Sequence, residues 1–133
     1  MEKKIVLPEE SYSIVGAAIE VHKIIGCGFS EAIYQEALEK ELQLRNIPYS
    51  REKVYYVTYK DQILSKHFRP DFVCYDKVIV ELKALPEIND EHIAQVLNYL
   101  KASGLRLGII INFGTETLEY KRILPNPKWK LKE

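Results

Sequence analysis

The chain has 133 residues, 47% of them apolar and 29% charged, with 19 Lys and Arg against 19 Asp and Glu and no net charge. That length supports one domain with a single hydrophobic core, and the composition excludes a disordered chain. Zero net charge argues against a strong non-specific polyanion binder, while leaving room for a local basic groove.

No stretch approaches the length needed to span a bilayer. Residues 1–8 lack the long apolar run of a signal peptide. A cytoplasmic protein with no membrane partner is expected. Cys27 and Cys74 have no metal-ligand spacing and read as free thiols in a reducing compartment.

Residues 9–25 predict a first helix, in which Ile14, Ala17, Ala18, Val21, Ile24 and Ile25 recur at helical spacing as an apolar stripe. Gly26-Cys27-Gly28 ends it, glycine being the usual residue beyond a helix C-terminus. His22 falls in the last turn, where a cation is favoured, and reads as a packed or capping residue. Ser30 is placed to cap a second helix ending near Asn46. Glu31, Leu38 and Leu42 share one side of it, with Tyr34 alongside, so an acid sits on the buried stripe. Alone, Glu31 would read as a complement to the helix dipole. Glu36, Glu39 and Glu41 fall on the solvent side.

Asn46-Ile47-Pro48 breaks the second helix. Residues 53–60, rich in β-branched and aromatic side chains, predict a strand. Lys60-Asp61-Gln62 turns it, and residues 63–68 predict a short return strand. A hairpin over residues 69–84 follows. Its first arm puts Asp71, Val73 and Tyr75 on one face. Its second arm, residues 77–84, is almost continuously apolar, as in a strand covered on both sides. Glu81 and Lys83 interrupt it near the end, where charges are costly unless paired or holding a metal. Two apart, they share a face, and a tight turn near Asp76-Lys77 brings Asp71 beside Glu81.

Pro86 closes this segment, and Asn89 or Asp90 caps a third helix ending near Ser103. Ile93, Val96, Leu97 and Leu100 form its stripe, with His92, Gln95 and Tyr99 in a narrow arc at the edge. Gly104 ends it. Residues 106–113 predict another buried strand and 118–124 a more polar edge strand. The tail, residues 125–133, carries Lys128, Lys130 and Lys132 around Trp129, as a solvated end or an auxiliary contact. Two helices, three or four strands, a helix and two strands predict an α/β (α+β) fold, a mixed central sheet flanked by helices.

Pro70-Asp71, then nine residues, then Glu81-Leu82-Lys83 resembles the signature of the PD-(D/E)XK nuclease superfamily. Gly28-Phe29-Ser30-Glu31-Ala32-Ile33-Tyr34 resembles the motif that names the GxxExxY family within it. Residues 92–101 and 108–114 are similar to further blocks of that family, so the resemblance spans residues 10–123. Cys27 departs from the proline or other residue expected in the Gly-x-Gly turn, away from the proposed ligands. The resemblance implies a restriction-endonuclease-like core in a single domain, with residues 124–133 as a tail. It implies that Asp71 and Glu81 bind a divalent metal, usually magnesium, with manganese able to substitute. Lys83 would orient or help deprotonate the attacking water, Glu31 would join as an acid from the preceding helix, and Gln95 would support the site.

Magnesium takes carboxylate oxygens and keeps several waters, and phosphodiester hydrolysis needs such a Lewis acid. The expected function is metal-dependent hydrolysis of nucleic acid, DNA favoured over RNA. Lys53, Lys66, Arg69, Tyr99 and Lys101 are candidate nucleic-acid contacts, with Lys60, His67 and Arg106 as further cations. The resemblance also allows a homodimer. A nuclease fold kept as a binding or interaction module, a hydrolase of another phosphate ester, and a buried ion network serving only the fold are the alternatives. Three carboxylates around one lysine leave negative charge uncompensated, so at least one carboxyl should have a raised pKa, and metal should stabilise the fold.

Overall fold

The computed structural model describes residues 5–131. The readings that rest on residues 1–4 and on Lys132 lie outside them. Helix α1 (Pro8–Ile25) opens with proline, whose missing N–H is no loss in a first turn, and with Glu9 and Glu10 at the positive end of the dipole. Ile14, Ala17, Ala18 and Val21 are buried as expected, but Ile24 is exposed. Ile24 and Ile25 are neighbours about 100° apart around the helix, and it is Ile25 that packs on the core. Gly26 stops α1 with a φ of 70° while its N–H donates to the His22 carbonyl at 2.8 Å. Helix α2 (Glu31–Leu44) ends two residues sooner than expected. Asn46 turns left-handed at φ 56°, and the Ile47 N–H folds back on the Leu42 carbonyl.

Strands β1 (Tyr49–Arg51), β4 (Phe72–Cys74), β5 (Val78–Lys83), β6 (Leu107–Asn112) and β7 (Glu119–Ile123) form one sheet in the order β1-β4-β5-β6-β7. Only β5 and β6 are parallel, and helix α3 (Asp90–Ser103) is the crossover that joins them. The sheet is therefore mixed, with α1 and α2 packed on one side and α3 on the other. Strand β1 was not expected. It has three residues, two of them polar, too few to show alternation, and Pro48 precedes it.

Strands β2 (Tyr55–Tyr59) and β3 (Gln62–Phe68) have the expected hairpin form but stand apart from the central sheet as a two-stranded ribbon. The chain leaves the sheet at Glu52, where φ is 55°, and returns at Asp71. The Glu52 N–H donates to the Asp71 carbonyl at 3.0 Å, closing the root of the ribbon. Pro70, with no N–H to give a ladder, separates β3 from β4. Tyr55 and Phe68 anchor the ribbon on the α3 side of the core. Of the described tail, Asn126, Pro127, Lys128 and Lys130 are exposed, but Trp129 is an anchor. Trp129 packs on that same cluster, and the Lys101 ammonium sits 5.4 Å from its ring centroid.

Candidate active site

The β4–β5 hairpin sets the geometry. Phe72 pairs with Val80, Val73 with Ile79 and Cys74 with Val78, a register that continues to Asp71 opposite Glu81. The turn is Tyr75-Asp76-Lys77, with positive φ at Tyr75 and Asp76 and the Lys77 N–H donating to the Cys74 carbonyl at 3.0 Å. Tyr75 therefore belongs to the turn and not, as expected, to the strand face of Asp71 and Val73. Val78 to Leu82 are all buried, as the apolar run predicts.

The Glu81 carboxyl is locked to the Asp71 backbone, and the Asp71 carboxyl to the backbone of Leu82, next to Glu81. The Asp71 N–H donates to Glu81 Oε1 at 3.1 Å, and the Leu82 N–H donates to Asp71 Oδ2 at 2.8 Å. Lys83 Nζ lies 3.8 Å from Glu81 Oε2 and donates to Gln95 Oε1 at 3.0 Å. The expected trio of two acids and an amine is thus assembled, and the helix that follows supplies Gln95. Tyr99, one turn further along α3, is only 6% exposed and lies within reach of the Glu81 and Asp71 charges. Its ring packs edge-on to Phe68 at 5.6 Å. That placement makes Tyr99 a partner of the acid pair; a buried ring is closed to an incoming base. His92, the third member of the predicted arc, caps α3 instead, its Nδ1 accepting from the Asn89 N–H at 3.1 Å. His22 is likewise packed, with Nε2 2.9 Å from the Thr115 carbonyl oxygen.

Burial governs the electrostatics. Glu81 is 6% exposed, and burial first, then the charge of Asp71, raises its pKa to about 8. Asp71 is also raised, by burial first, against the Leu82 N–H that favours its charged form, and by the charge of Glu31. Tyr99 is pushed up by burial and then by the two acids. At neutral pH the pair therefore holds a proton that two separated surface carboxylates would have lost. Cys74, pushed up to about 12 by burial, is an inert core thiol, and Cys27 is exposed and free.

Glu31 differs from expectation. Tyr34, Leu38 and Leu42 are fully buried, but Glu31 in the first turn of the same stripe is exposed, because that turn extends past the core. Its charge still reaches Asp71 and Glu81 and raises both. Among the described residues no three His, Cys, Asp or Glu side chains are gathered closely enough to hold a metal ion by themselves. The ligand chemistry nevertheless fits a hard divalent ion, which is often bound through one or two carboxylates and several waters. Asp71 and Glu81 are two such carboxylates fixed on neighbouring strands, and Glu31 stands at the rim.

Sequence reasoning missed two contributors. Gln35 donates from Nε2 to Asp71 Oδ1 at 3.3 Å and accepts from Arg51 Nη2 at 3.1 Å. Its signal was present, since Gln35 lies four residues beyond Glu31 and shares its helix face. Asn112 is fully buried at the end of β6 and clamps the loop beyond Lys83. Its Oδ1 accepts from the Leu85 and Gly114 N–H groups, and its Nδ2 donates to the Leu85 carbonyl at 2.9 Å and to Glu119 at 3.1 Å. Gly114 is required beside it, because a Cβ there would lie 2.3 Å from the Leu85 oxygen. In the Gly-x-x-Glu-x-x-Tyr stretch, Tyr34 stacks on Phe113 at 4.5 Å and its hydroxyl donates to the Gly26 carbonyl at 2.6 Å. That pins the turn from which α2 and Glu31 start.

The candidate cations divide into two groups. Lys53, Lys60, Lys66, His67 and Arg69 are exposed along the ribbon or its root, which runs straight into Asp71. Arg106 precedes β6 at the end where Val78 pairs with Leu107, about 17 Å along the strands from Lys83. Lys101, in the last turn of α3, is held over Trp129.

A match to the PD-(D/E)XK nuclease superfamily covers residues 8–123. The chain belongs to this superfamily. No curated protein matches the chain. It is similar to the crystal structure of SSO0001, with a TM-score of 0.56 at 17% identity, over 71% of this chain and 49% of that one. This superfamily member thus spans about half the length of that relative, and the likeness is one of fold. Among the described residues no helix is long and apolar enough to cross a membrane.

Proposed function

We propose that the protein is a magnesium-dependent nuclease that hydrolyses phosphodiester bonds, DNA being the favoured substrate, and that it is a GxxExxY-type member of its superfamily. The observation that carries this reading is the convergence of Asp71 and Glu81, the first giving its N–H to the second and taking the Leu82 N–H in turn, with the Lys83 ammonium beside them. Asp71 and Glu81 would hold the ion, with Glu31 joining from the rim. When bound, magnesium supplies Lewis acidity that offsets charge on the phosphate and lowers the pKa of the attacking water.

The protein's own groups set up the rest. Gln95 holds the Lys83 ammonium by its hydrogen bond, leaving the other N–H donors for a water or a phosphate oxygen. The Asp71 N–H fixes the Glu81 carboxyl, and the buried Tyr99 lies within reach of its charge. Gln35 fixes Asp71 from α2. Retention of Asp71, Glu81 and Lys83 together supports turnover over a silent binding module.

The test is cleavage of single-stranded, duplex and branched DNA and of RNA, with magnesium or manganese, beside Lys83→Ala and Asp71→Ala. Loss of the lysine should slow cleavage by about 10²–10⁴-fold, the usual range for a group that handles the proton of a nucleophile. Cleavage that persists in Lys83→Ala would refute the assignment. Binding without cleavage in the parent protein would favour the interaction module.

A further inference from the structure

The β2–β3 ribbon carries Lys53, Lys60, Lys66 and Arg69 against a single acid, Asp61, on a chain whose net charge is zero. It also exposes rings and aliphatic groups that strands normally bury. Tyr56 is 53% exposed, Tyr59 61% and Ile63 70%. Tyr56 and His67 face each other across the ribbon with ring centroids 5.5 Å apart, and the Lys60 ammonium lies 5.6 Å from the Tyr59 ring. Exposed rings interleaved with cations suit an unpaired strand, whose bases can stack on the rings while the ammonium groups hold phosphates. A duplex presents only its backbone and base edges, because its base faces are closed within the stack.

We propose that the β2–β3 ribbon is a grip for unpaired nucleic acid, with bases stacked on the Tyr56–His67 pair and on Tyr59 and phosphates held by Lys60 and Lys66. It rests on the nuclease reading above and narrows the substrate to strands with an unpaired segment beside the bond that is cut. The ribbon's root is joined to the site. Phe68 packs on Tyr99, in the helix that also supplies Gln95 to Lys83, and Arg69-Pro70 lead directly to Asp71. A strand held on the ribbon is thereby led to the acid pair. A second copy is disfavoured as the occupant, because two identical ribbons would bring like charges together.

The full chain is titrated, in EDTA so that no turnover occurs, against a labelled oligothymidylate of about 16 nucleotides and a duplex of equal length, read by fluorescence anisotropy. The single strand binds at least tenfold more tightly than the duplex. Tyr56→Ala and Tyr59→Ala each weaken it by roughly five-fold or more, the loss expected for one stacked base. Tyr56→Trp keeps the affinity, because stacking needs the ring and not the hydroxyl. Replacing Lys60 and Lys66 by alanine reduces the slope of log K against log salt by about 1.4. Unchanged melting temperatures in these exposed-site variants exclude unfolding as the cause.

Duplex binding as tight as single-strand binding, or tyrosine variants that bind like the parent, would overturn the proposal. So would a dimer in sedimentation that Ile63→Ser dissolves without changing oligonucleotide affinity. Metal-linked stabilisation and its loss in Asp71→Ala are measured separately. Failure there with the grip intact removes the metal-nuclease reading alone, and loss of the grip with metal binding intact removes only this proposal.

Discussion

Glu81→Gln should make the metal-free protein more stable at neutral and mildly alkaline pH, and should remove most of its pH dependence there. The Glu81 pKa rises from an ordinary 4.5 to about 8 in the fold, chiefly through burial and then through the charge of Asp71. Between those two values the unfolded chain has lost the proton and the folded chain keeps it. Fewer protons are bound by the unfolded state, so stability falls as pH rises through this window. Each unit costs about 1.4 kcal/mol if Glu81 titrates alone, so the parent should lose about 3 kcal/mol between about pH 5 and pH 7.5. For a chain of this size that is roughly 10 °C in melting temperature. Glutamine copies the neutral acid and can still accept the Asp71 N–H, so the variant should match the parent near pH 5 and exceed it by about 3 kcal/mol near pH 7.5. Asp71, also raised, leaves a residual slope of the same sign. The assay is urea unfolding in EDTA at a series of pH values. A parent whose stability rises from pH 5 to 7.5, or a variant with an undiminished slope, would refute the reasoning.

The same proton should couple to metal. Magnesium or manganese must displace it, so apparent affinity should climb about tenfold per pH unit below about 8, with proton release seen by calorimetry in buffers of different ionisation enthalpy. Metal should raise the melting temperature of the parent and not of Asp71→Ala. Gln95→Ala should lower the cleavage rate while leaving metal affinity, read from the melting shift, near the parent value, because Gln95 holds Lys83 and not the acids. Asn112→Ala empties a buried clamp and strands the Leu85 and Gly114 backbone groups, a loss of about 2–4 kcal/mol measurable by denaturation.

Much of the architecture was legible because local patterns and global packing agree. The helical stripes of α1 and α3, the glycine stop at Gly26 and the unbroken apolar run of β5 each carry their own signal. Asp71 beside Glu81 followed from a tight turn near Asp76-Lys77, since register is an arithmetic consequence of where the chain reverses, here over Tyr75, Asp76 and Lys77 with Cys74 paired to Val78. Lys83 shares the Glu81 face for the same reason. Strand β1 was illegible, because three residues paired with β4 are too few to have a periodicity of their own. Glu31 was misplaced because spacing says nothing about how far along a helix the core extends, and Ile24 because its neighbour Ile25, about 100° round the helix, takes the core-facing position.

From its own order of residues, then, the chain specified its elements, the antiparallel turn-back that sets two acids side by side, and the superfamily to which they point. Folding in space decided which polar groups those acids meet. Gln35 reaches Asp71 from α2 and Asn112 clamps the loop beyond Lys83 from β6, and no local pattern records a contact made across the fold. Folding also withdrew water from Glu81, the step that raises its pKa, and set the β2–β3 ribbon outside the sheet. Desolvation and strand partnership depend on what the rest of the chain covers, so neither can be read from a segment alone.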